Sequence, residues 1–436
     1  EFKKSGSEVV LLQLDKDSQE IPDFNQLKDN YSKLFNLIQD GKILSAQSVR
    51  HGGIAAGISK MSFGNKIGFE FVGDASKESL FFPDYGSIIL EIPEEEKPEL
   101  LLEGLKYTTL GRTIYEYKII INGVNIDLSL AQKSWEEPLE KIFPVREEAS
   151  GIMKEVPVIS SPKKSSKIKI ASPKVFIPVF PGTNCEYDTA KAFNEAGGKA
   201  ELMVFKNLKP SDIEESISKM VEYINQAQII ALPGGFSAGD EPDGSGKFIA
   251  TVFRNPRVKE AVMDLLKNRD GLMLGICNGF QALIKLGLVP YGEIRDIEED
   301  APTLTFNKIG RHISCFARTK IVSNSSPWLA NYQPGDISTV ALSHGEGGFY
   351  ANEKELDKLI KNGQIGAQYV DLNNNPTYDI AYNPNGSVMA IECITSPDGK
   401  VLGKMGHTER MRENVGINVP GKKDMGLFSA GISYFS

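Results

Sequence analysis

The chemistry of this chain gathers around one thiol. Cys277 stands in Gly271-Leu-Met-Leu-Gly-Ile-Cys-Asn-Gly-Phe-Gln281, where a short apolar run ends at Gly275, a Gly-x-Cys-x-Gly turn follows, and Phe280 to Leu286 reads as a helix. The two glycines let the backbone turn sharply from strand to helix, so the side chain between them projects clear of the sheet. Such an elbow sets the sulfur at a helix N-terminus, where unpaired N–H groups and the helix dipole favour a thiolate. A thiolate so placed is suited to attack on a carbonyl, and it needs a base and a group that orients the base. The chain has four histidines, so the candidates can be enumerated. In Gly-His407-Thr-Glu409-Arg, just after an apolar strand, residues two apart on an extended segment share a side, and Glu409 can fix the imidazole tautomer. His344, in Ser-His-Gly-Glu-Gly-Gly, has the same spacing and is the rival, but its glycines read as a mobile loop on the substrate side. His51 and His312 read as structural histidines. For the oxyanion of a tetrahedral intermediate, Gly234 and Gly235 offer backbone N–H groups at a strand end with no side chain in the way. The N–H of Asn278, directly after the nucleophile, is the natural second donor.

Three other patterns carry less. Gly235-Phe-Ser-Ala-Gly239 matches a serine-nucleophile turn, but Asp240-Glu-Pro-Asp-Gly-Ser-Gly follows where a helix is required, so Ser237 is set aside. Gly244-Ser-Gly-Lys247 lacks the first glycine of a phosphate-binding loop and has Phe248 in place of the hydroxyl that would hold magnesium. Arg50-His51-Gly52-Gly53, between a strand and a helix, is either an anion cradle or a tight turn of close packing.

These groups need a frame. From Lys174 onward, short apolar strands at 175–180, 200–205, 228–232 and 271–276 alternate with helices at 186–196, 211–226 and 258–267, the signature of a doubly wound, mostly parallel α/β sheet. In such sheets chemistry collects at the carboxyl ends of the strands, where Pro181 to Glu186, Pro233 to Asp240 and the elbow all fall. Beyond Thr303 the pattern turns β-rich, with strands near 312–322, 339–342, 388–394 and 401–405. Residues 1–150 read as a smaller α+β domain with strands at 8–14, 43–49, 67–72, 86–92, 108–114 and 118–128. Its helices fall at 25–40, 54–63, 97–104 and 134–143, the first with Leu27, Tyr31, Leu34, Phe35 and Ile38 on one face. Residues 151–173, rich in proline, serine and lysine, read as a solvated linker to the second domain, 174–436.

Composition narrows the function. The chain has 436 residues, 41% hydrophobic and 24% charged, with a net charge of -8, a balance that argues against a nucleic-acid surface. No run reaches membrane-spanning length, and residues 1–20 lack a signal-peptide pattern. Four cysteines without a C-x-x-C pair argue against zinc and a disulfide framework, which makes a cytoplasmic location the expectation. A start at Glu1, close to an apolar run, reads as a processed or truncated N-terminus.

With elbow, Gly-Gly loop and His-x-Glu in place, residues 174–436 resemble the class I (triad-type) glutamine amidotransferases, a flavodoxin-like fold. Phe180-Pro-Gly-Thr-Asn-Cys-Glu186, Pro233-Gly-Gly-Phe-Ser237, Asn307 to Arg311, His344-Gly-Glu-Gly347, Gly406-His-Thr-Glu-Arg410 and Phe428-Ser-Ala-Gly-Ile-Ser-Tyr-Phe435 narrow the resemblance to glutaminases of the phosphoribosylformylglycinamidine synthase family. The resemblance implies Cys277 as the nucleophile that forms a glutamyl thioester, His407 as general base and Glu409 as its orienting partner. It further implies Gly235 in the oxyanion hole, with Gln281 and His344 among the glutamine-binding residues. Residues 1 to about 150 resemble the C-terminal half of an aminoimidazole-ribonucleotide-synthetase-like unit, on Ser48-Val-Arg-His-Gly-Gly-Ile54 and the order of elements. That family has an acidic residue where His51 stands, so no phosphate or magnesium role is carried over. The family then implies no cofactor or metal on the glutaminase, and ATP and magnesium only for the complete synthase. The implied partners are glutamine and the remaining synthetase portion, in the same polypeptide or a separate chain. The residues by themselves leave open a cysteine hydrolase of related fold acting on peptide or γ-glutamyl bonds, and a catalytically silent docking module.

Overall fold

Val9 to Leu12 form an unbroken apolar run, and such a run belongs in a strand covered on both faces. In the computed structural model it is β1 (Glu8–Leu12), at the centre of the first of two compact units, Glu1–Val145 and Arg146–Ser436. The structure describes residues 1–73, 76–144, 151, 153–237, 246–411, 414–423 and 426–436. The first unit also contains β2 (Ser45–Ser48), β3 (Gly68–Phe71), β4 (Ile88–Ile92), β5 (Tyr107–Ile114), β6 (Lys118–Ile121) and β7 (Val124–Asp127), in the order β2-β4-β1-β5-β3-β6-β7. All pairs are antiparallel except β3 with β6. Val9, Leu11 and Ile89 pack with Ile54 and Ile58 of helix Gly53–Phe63, while Val10, Leu12 and Leu90 pack with Leu34 of helix Phe24–Gln39.

Three expectations change here. The strand expected across 118–128 is a hairpin, because Asn122 and Gly123 both take positive φ, the requirement of a tight type I′ turn. The helix expected at 134–143 starts at Leu128, where the Asp127 carboxylate accepts the N–H groups of Ser129 and Leu130. On helix Phe24–Gln39 only part of the apolar face is covered: Leu34 is buried, whereas Tyr31, Phe35 and Ile38 stay exposed. The glycines after His51 answer to packing, since a Cβ on Gly53 would lie 2.3 Å from the Leu80 carbonyl oxygen.

The second unit is built on a nine-stranded sheet. Its strands are β8 (Lys174–Val179), β9 (Lys199–Val204), β10 (Ile229–Leu232), β11 (Leu272–Ile276), β13 (Ile313–Ile321), β14 (Ile337–His344), β16 (Ile365–Tyr369), β17 (Ile391–Thr395) and β18 (Val401–Lys404). The spatial order is β14-β13-β16-β17-β18-β11-β10-β8-β9. From β18 to β9 every pairing is parallel, the doubly wound part; from β18 to β14 every pairing is antiparallel. A separate ribbon pairs β12 (Thr303–Phe306) with β15 (Glu346–Tyr350).

The stretch expected as a solvated linker is strapped to this unit. Ile159 donates its N–H to Val322 and pairs with Ser323, Ser161 to the Asn324 side chain, and Ile170 to Phe435. Met153, Val156 and Ile170 also pack against the core of this unit, and Lys154 pairs with Glu353 and Asp357, contacts that the proline-, serine- and lysine-rich composition hid. No described helix is long and apolar enough to cross a membrane.

Helix Glu186–Glu195 is tied to the C-terminal helix Leu427–Ser433 by aromatic packing: fully buried Phe193 meets Phe428 edge-on at 4.9 Å and Trp328 at 6.2 Å. Phe193→Ala is expected to cost about 3–5 kcal/mol of stability. Tyr187→Ala on the same helix, at a side chain 77% exposed, should change it by less than about 0.5 kcal/mol. Urea denaturation of the two variants checks this, and equal midpoints would contradict the packing assignment.

Candidate active site

β11 and β18 are parallel neighbours in register, Ile276 beside Lys404, so their carboxyl ends deliver the segments that follow to one place. Cys277 comes directly after β11, with φ 51° and ψ −107°, and its carbonyl starts the helix Asn278–Leu286 by accepting the Gln281 N–H. This is a strained conformation for a residue with a side chain. It is over-determined by its flanks. A Cβ on Gly275 would lie 2.6 Å from Leu283 Cδ1, and one on Gly279 would lie 2.0 Å from the Leu232 carbonyl oxygen. Strand, elbow and helix therefore approach more closely than any side chain permits.

His407 follows β18 by three residues and is pinned to β14 by its N–H, which donates to the Ala341 carbonyl at 2.8 Å. Its Nδ1 is 2.6 Å from Glu409 Oε1, and both residues are buried, 5% and 1% exposed. The pairing comes from one turn of 3₁₀ helix, Thr408–Arg410, rather than from an extended segment. Burial alone would strip the proton from His407. The Glu409 carboxylate and the Cys277 sulfur outweigh that cost and raise the imidazole pKa well above its usual value. Glu409 would likewise be kept neutral by burial, yet His407 holds its pKa below the ordinary carboxylate value. Both shifts favour an imidazolium–carboxylate pair beside the sulfur. A Cβ on Gly234 would lie 2.7 Å from His407 Cε1 and 3.5 Å from Cys277 Cβ, so one glycine touches both groups.

His344 is placed differently from its expectation. It ends β14 as a buried residue, its Nδ1 meets Asn307 Oδ1 at 3.0 Å, and its Nε2 has no partner among the described residues. Asn307 donates its amide N–H groups to the carbonyls of His344 and Arg311, which leaves Oδ1 as the acceptor. Burial first, then the nearby His407 and His312, pushes the His344 pKa down to about 3. The His344 Nδ1 is thus turned to an amide, whereas the His407 Nδ1 faces a carboxylate at 2.6 Å.

The oxyanion candidates lie together. Gly235, with φ 152°, is bridged to Thr183, and a Cβ there would lie 2.6 Å from the Gly182 carbonyl oxygen. Among the described residues, no acceptor faces the N–H of Gly235 or of Asn278. The side chain of Asn278 accepts from the Ser237 N–H at 3.2 Å and donates to Gln281 Oε1 at 3.0 Å, and Gln281 donates on to the Glu346 carbonyl. This chain of bonds clamps the Gly-Gly loop, the elbow helix and β15 together. It also occupies both ends of the Gln281 amide. Ser237 is fully buried and stands five residues beyond the end of β10, not on an elbow. The Ala238–Ser245 part of the two set-aside motifs lies outside the described residues. Gly246 packs against the elbow helix, its Cβ position 2.7 Å from the Ala282 nitrogen.

Two neighbours escaped the sequence reading. Cys185, buried, has its Sγ 3.9 Å from His407 Nδ1. His312 Nε2 is 3.1 Å from Ser343 Oγ, and the Ser343 carbonyl accepts from Cys277 Sγ at 3.7 Å. Cys185, His407 and Glu409 bring three metal-type ligand atoms within 4.8 Å of one another. Two ligands on a tetrahedral zinc ion are about 3.3 Å apart, whereas Nδ1 and Oε1 are at 2.6 Å, a shared proton's spacing. The cluster has the geometry of an oriented imidazole.

The family comparison falls within the second unit. The profile of the CobB/CobQ-like glutamine amidotransferase domain matches residues 172–435. The phosphoribosylformylglycinamidine synthase subunit PurQ of Chlorobaculum parvum is 33% identical over 250 residues, 56% of this chain and 85% of the relative. That of Methanococcus maripaludis is 36% identical over 243 residues, 55% of this chain and 82% of the relative. A solved structure of PurLQS from Thermotoga maritima covers 61% of this chain and 100% of its own, at 22% identity and a TM-score of 0.44.

Glu409→Gln removes the charge that outweighs burial while leaving the burial. In the parent the His407 ring is expected to titrate above the usual value of about 6.5, and in the variant below it. The sign for stability follows. The parent pair stabilises the fold at pH below the unfolded value, and that contribution is lost as pH rises through the folded pKa. The variant instead loses stability as pH falls and the unfolded histidine takes up its proton. Ring NMR resonances followed against pH check this, and identical titrations in both proteins would contradict it.

Proposed function

The chain belongs to the CobB/CobQ-like glutamine amidotransferase family, and we propose from that premise that it is the glutaminase-bearing part of a phosphoribosylformylglycinamidine synthase. The observation that carries the catalytic assignment is the convergence of Cys277, His407 and Glu409 beyond two adjoining parallel strands. The Cys277 sulfur adds to the carboxamide carbon of glutamine, and the new oxyanion lies against the N–H groups of Gly235 and Asn278. One such donor is worth about 2.7–4 kcal/mol in related acyl transfers. The intermediate collapses as His407 gives its proton to the leaving nitrogen, ammonia departs, and a glutamyl thioester remains. Water then adds to the thioester while His407 takes its proton, and glutamate leaves with the sulfur restored. Glu409 keeps the imidazole in one tautomer and stabilises its charged form throughout. Gly234 allows the imidazole and the sulfur to approach, and Gln281 and His344 shape the wall on the glutamine side.

Ammonia is then consumed by the synthetase portion, where ATP, with magnesium, activates the formyl amide. The balanced reaction is ATP, formylglycinamide ribonucleotide, glutamine and water to the amidine, ADP, phosphate and glutamate. In this reading residues 174–436 are the glutaminase, 151–173 a strap upon it, and 1–150 a piece of the synthetase-like partner. None of the four cysteines is joined to another by a disulfide, which supports a reducing compartment, the cytoplasm.

Cys277→Ala is expected to abolish glutamine-dependent amidine formation in the enzyme completed with its synthetase portion, and to leave ammonia-dependent formation within about twofold of the parent. Unchanged glutamine-dependent synthesis would overturn the assignment. A glutamine-analogue chloroketone should label the 436-residue chain at Cys277, with free glutamine protecting it. The purified chain alone should release glutamate slowly and form no amidine.

A further inference from the structure

Glutamine is a zwitterion, and the triad accounts only for its carboxamide. The α-carboxylate must also be met, and two cationic side chains beside the triad are committed elsewhere: buried Lys404 donates to Thr408, and Arg410 pairs with Asp188. His312 is exposed, and its Nδ1 has no partner among the described residues. One residue connects it to the nucleophile. The Ser343 carbonyl faces Cys277 Sγ at 3.7 Å, and the Ser343 hydroxyl meets His312 Nε2 at 3.1 Å. On its other side the His312 ring lies against Phe236 at 6.1 Å between centroids, and Phe236 directly follows the oxyanion glycine Gly235. The imidazole is thus held between the Gly-Gly loop and the strand that borders the sulfur.

The lengths agree. An extended glutamine places its α-carboxylate about 5 Å from its carboxamide carbon, and the carbonyl and hydroxyl oxygens of one serine lie within about 5 Å of each other. A substrate whose carboxamide carbon rests on Cys277 and whose chain runs alongside Ser343 brings its α-carboxylate to the side of the His312 ring. We propose that His312 binds the α-carboxylate of glutamine and so selects a free amino acid over other primary amides. The proposal rests on the glutaminase reading and deepens it. Phe236 and Ser343 are positioning residues for the ring.

The test compares L-glutamine with 4-aminobutanamide, which is glutamine without its α-carboxylate, in the full chain and in His312→Phe. Two readouts serve: steady-state release of the acid from each amide, and the concentration of each amide that half-protects Cys277 from iodoacetamide. The variant is expected to raise KM and the half-protecting concentration for glutamine by about tenfold or more, the scale of one charge-assisted hydrogen bond, with kcat within about twofold. The values for 4-aminobutanamide should not move. His312→Gln, which keeps an N–H donor at an exposed position, should show a smaller rise and serves if the phenylalanine variant does not fold. An equal rise for both amides would mark His312 as merely structural, and unchanged glutamine values in both variants would overturn the proposal. If the parent chain itself shows no glutamine protection at Cys277, the glutaminase reading fails instead.

Discussion

The buried contact of His407 with Glu409 is the constraint around which the second unit is arranged. Burial works against a proton on His407, and the Glu409 carboxylate at 2.6 Å, the Cys277 sulfur and the Cys185 side chain work in its favour. A buried pair of this kind is stable only when its geometry is tightly set, because each charge left alone would cost several kcal/mol. The surrounding structure meets that demand with backbone. The His407 N–H is fixed to Ala341, the 3₁₀ turn sets the Glu409 direction, and Gly234 closes the remaining side without a side chain.

The proposed nucleophile, Cys277, is held by the same means. Cys277 keeps a positive φ because β11, the elbow helix and β10 meet at Gly275 and Gly279 without room for a methyl group. Strain of this kind costs about 1–3 kcal/mol and persists only where neighbours enforce it. Behind the elbow, the bonds from Ser237 through Asn278 and Gln281 to Glu346 link loop, helix and ribbon. The same bonds therefore fix the Gly-Gly loop relative to the sulfur.

Much of this was legible in the sequence because it is local. The Gly-x-Cys-x-Gly turn carries its own backbone geometry, and two residues of one short segment form the His407–Glu409 pair, although a 3₁₀ turn rather than an extended strand brings them together. The alternation of apolar strands and amphipathic helices after Lys174 likewise announces the parallel half of the sheet. What spacing could not show is tertiary. The tautomer of His344 depends on Asn307, thirty-seven positions away. Cys185 and His312 reach the site only when β8 and β13 take their places in the sheet. β15 begins Glu-Gly-Gly, a poor strand former, and exists because β12 pairs with it. The 151–173 strap has the composition of a free linker, and only its tertiary contacts, backbone and side chain, reveal otherwise.

The central claim is that glutamine is cleaved through a covalent bond to one sulfur, and a single turnover tests it most directly. The completed enzyme, mixed with labelled glutamine and quenched in acid at increasing times, is digested and its peptides are weighed. The account predicts a glutamyl adduct on the peptide carrying Cys277 that forms before free glutamate appears and decays as glutamate accumulates. Glutamate release with no adduct at any time, or an adduct on a different residue such as Ser237, would contradict it.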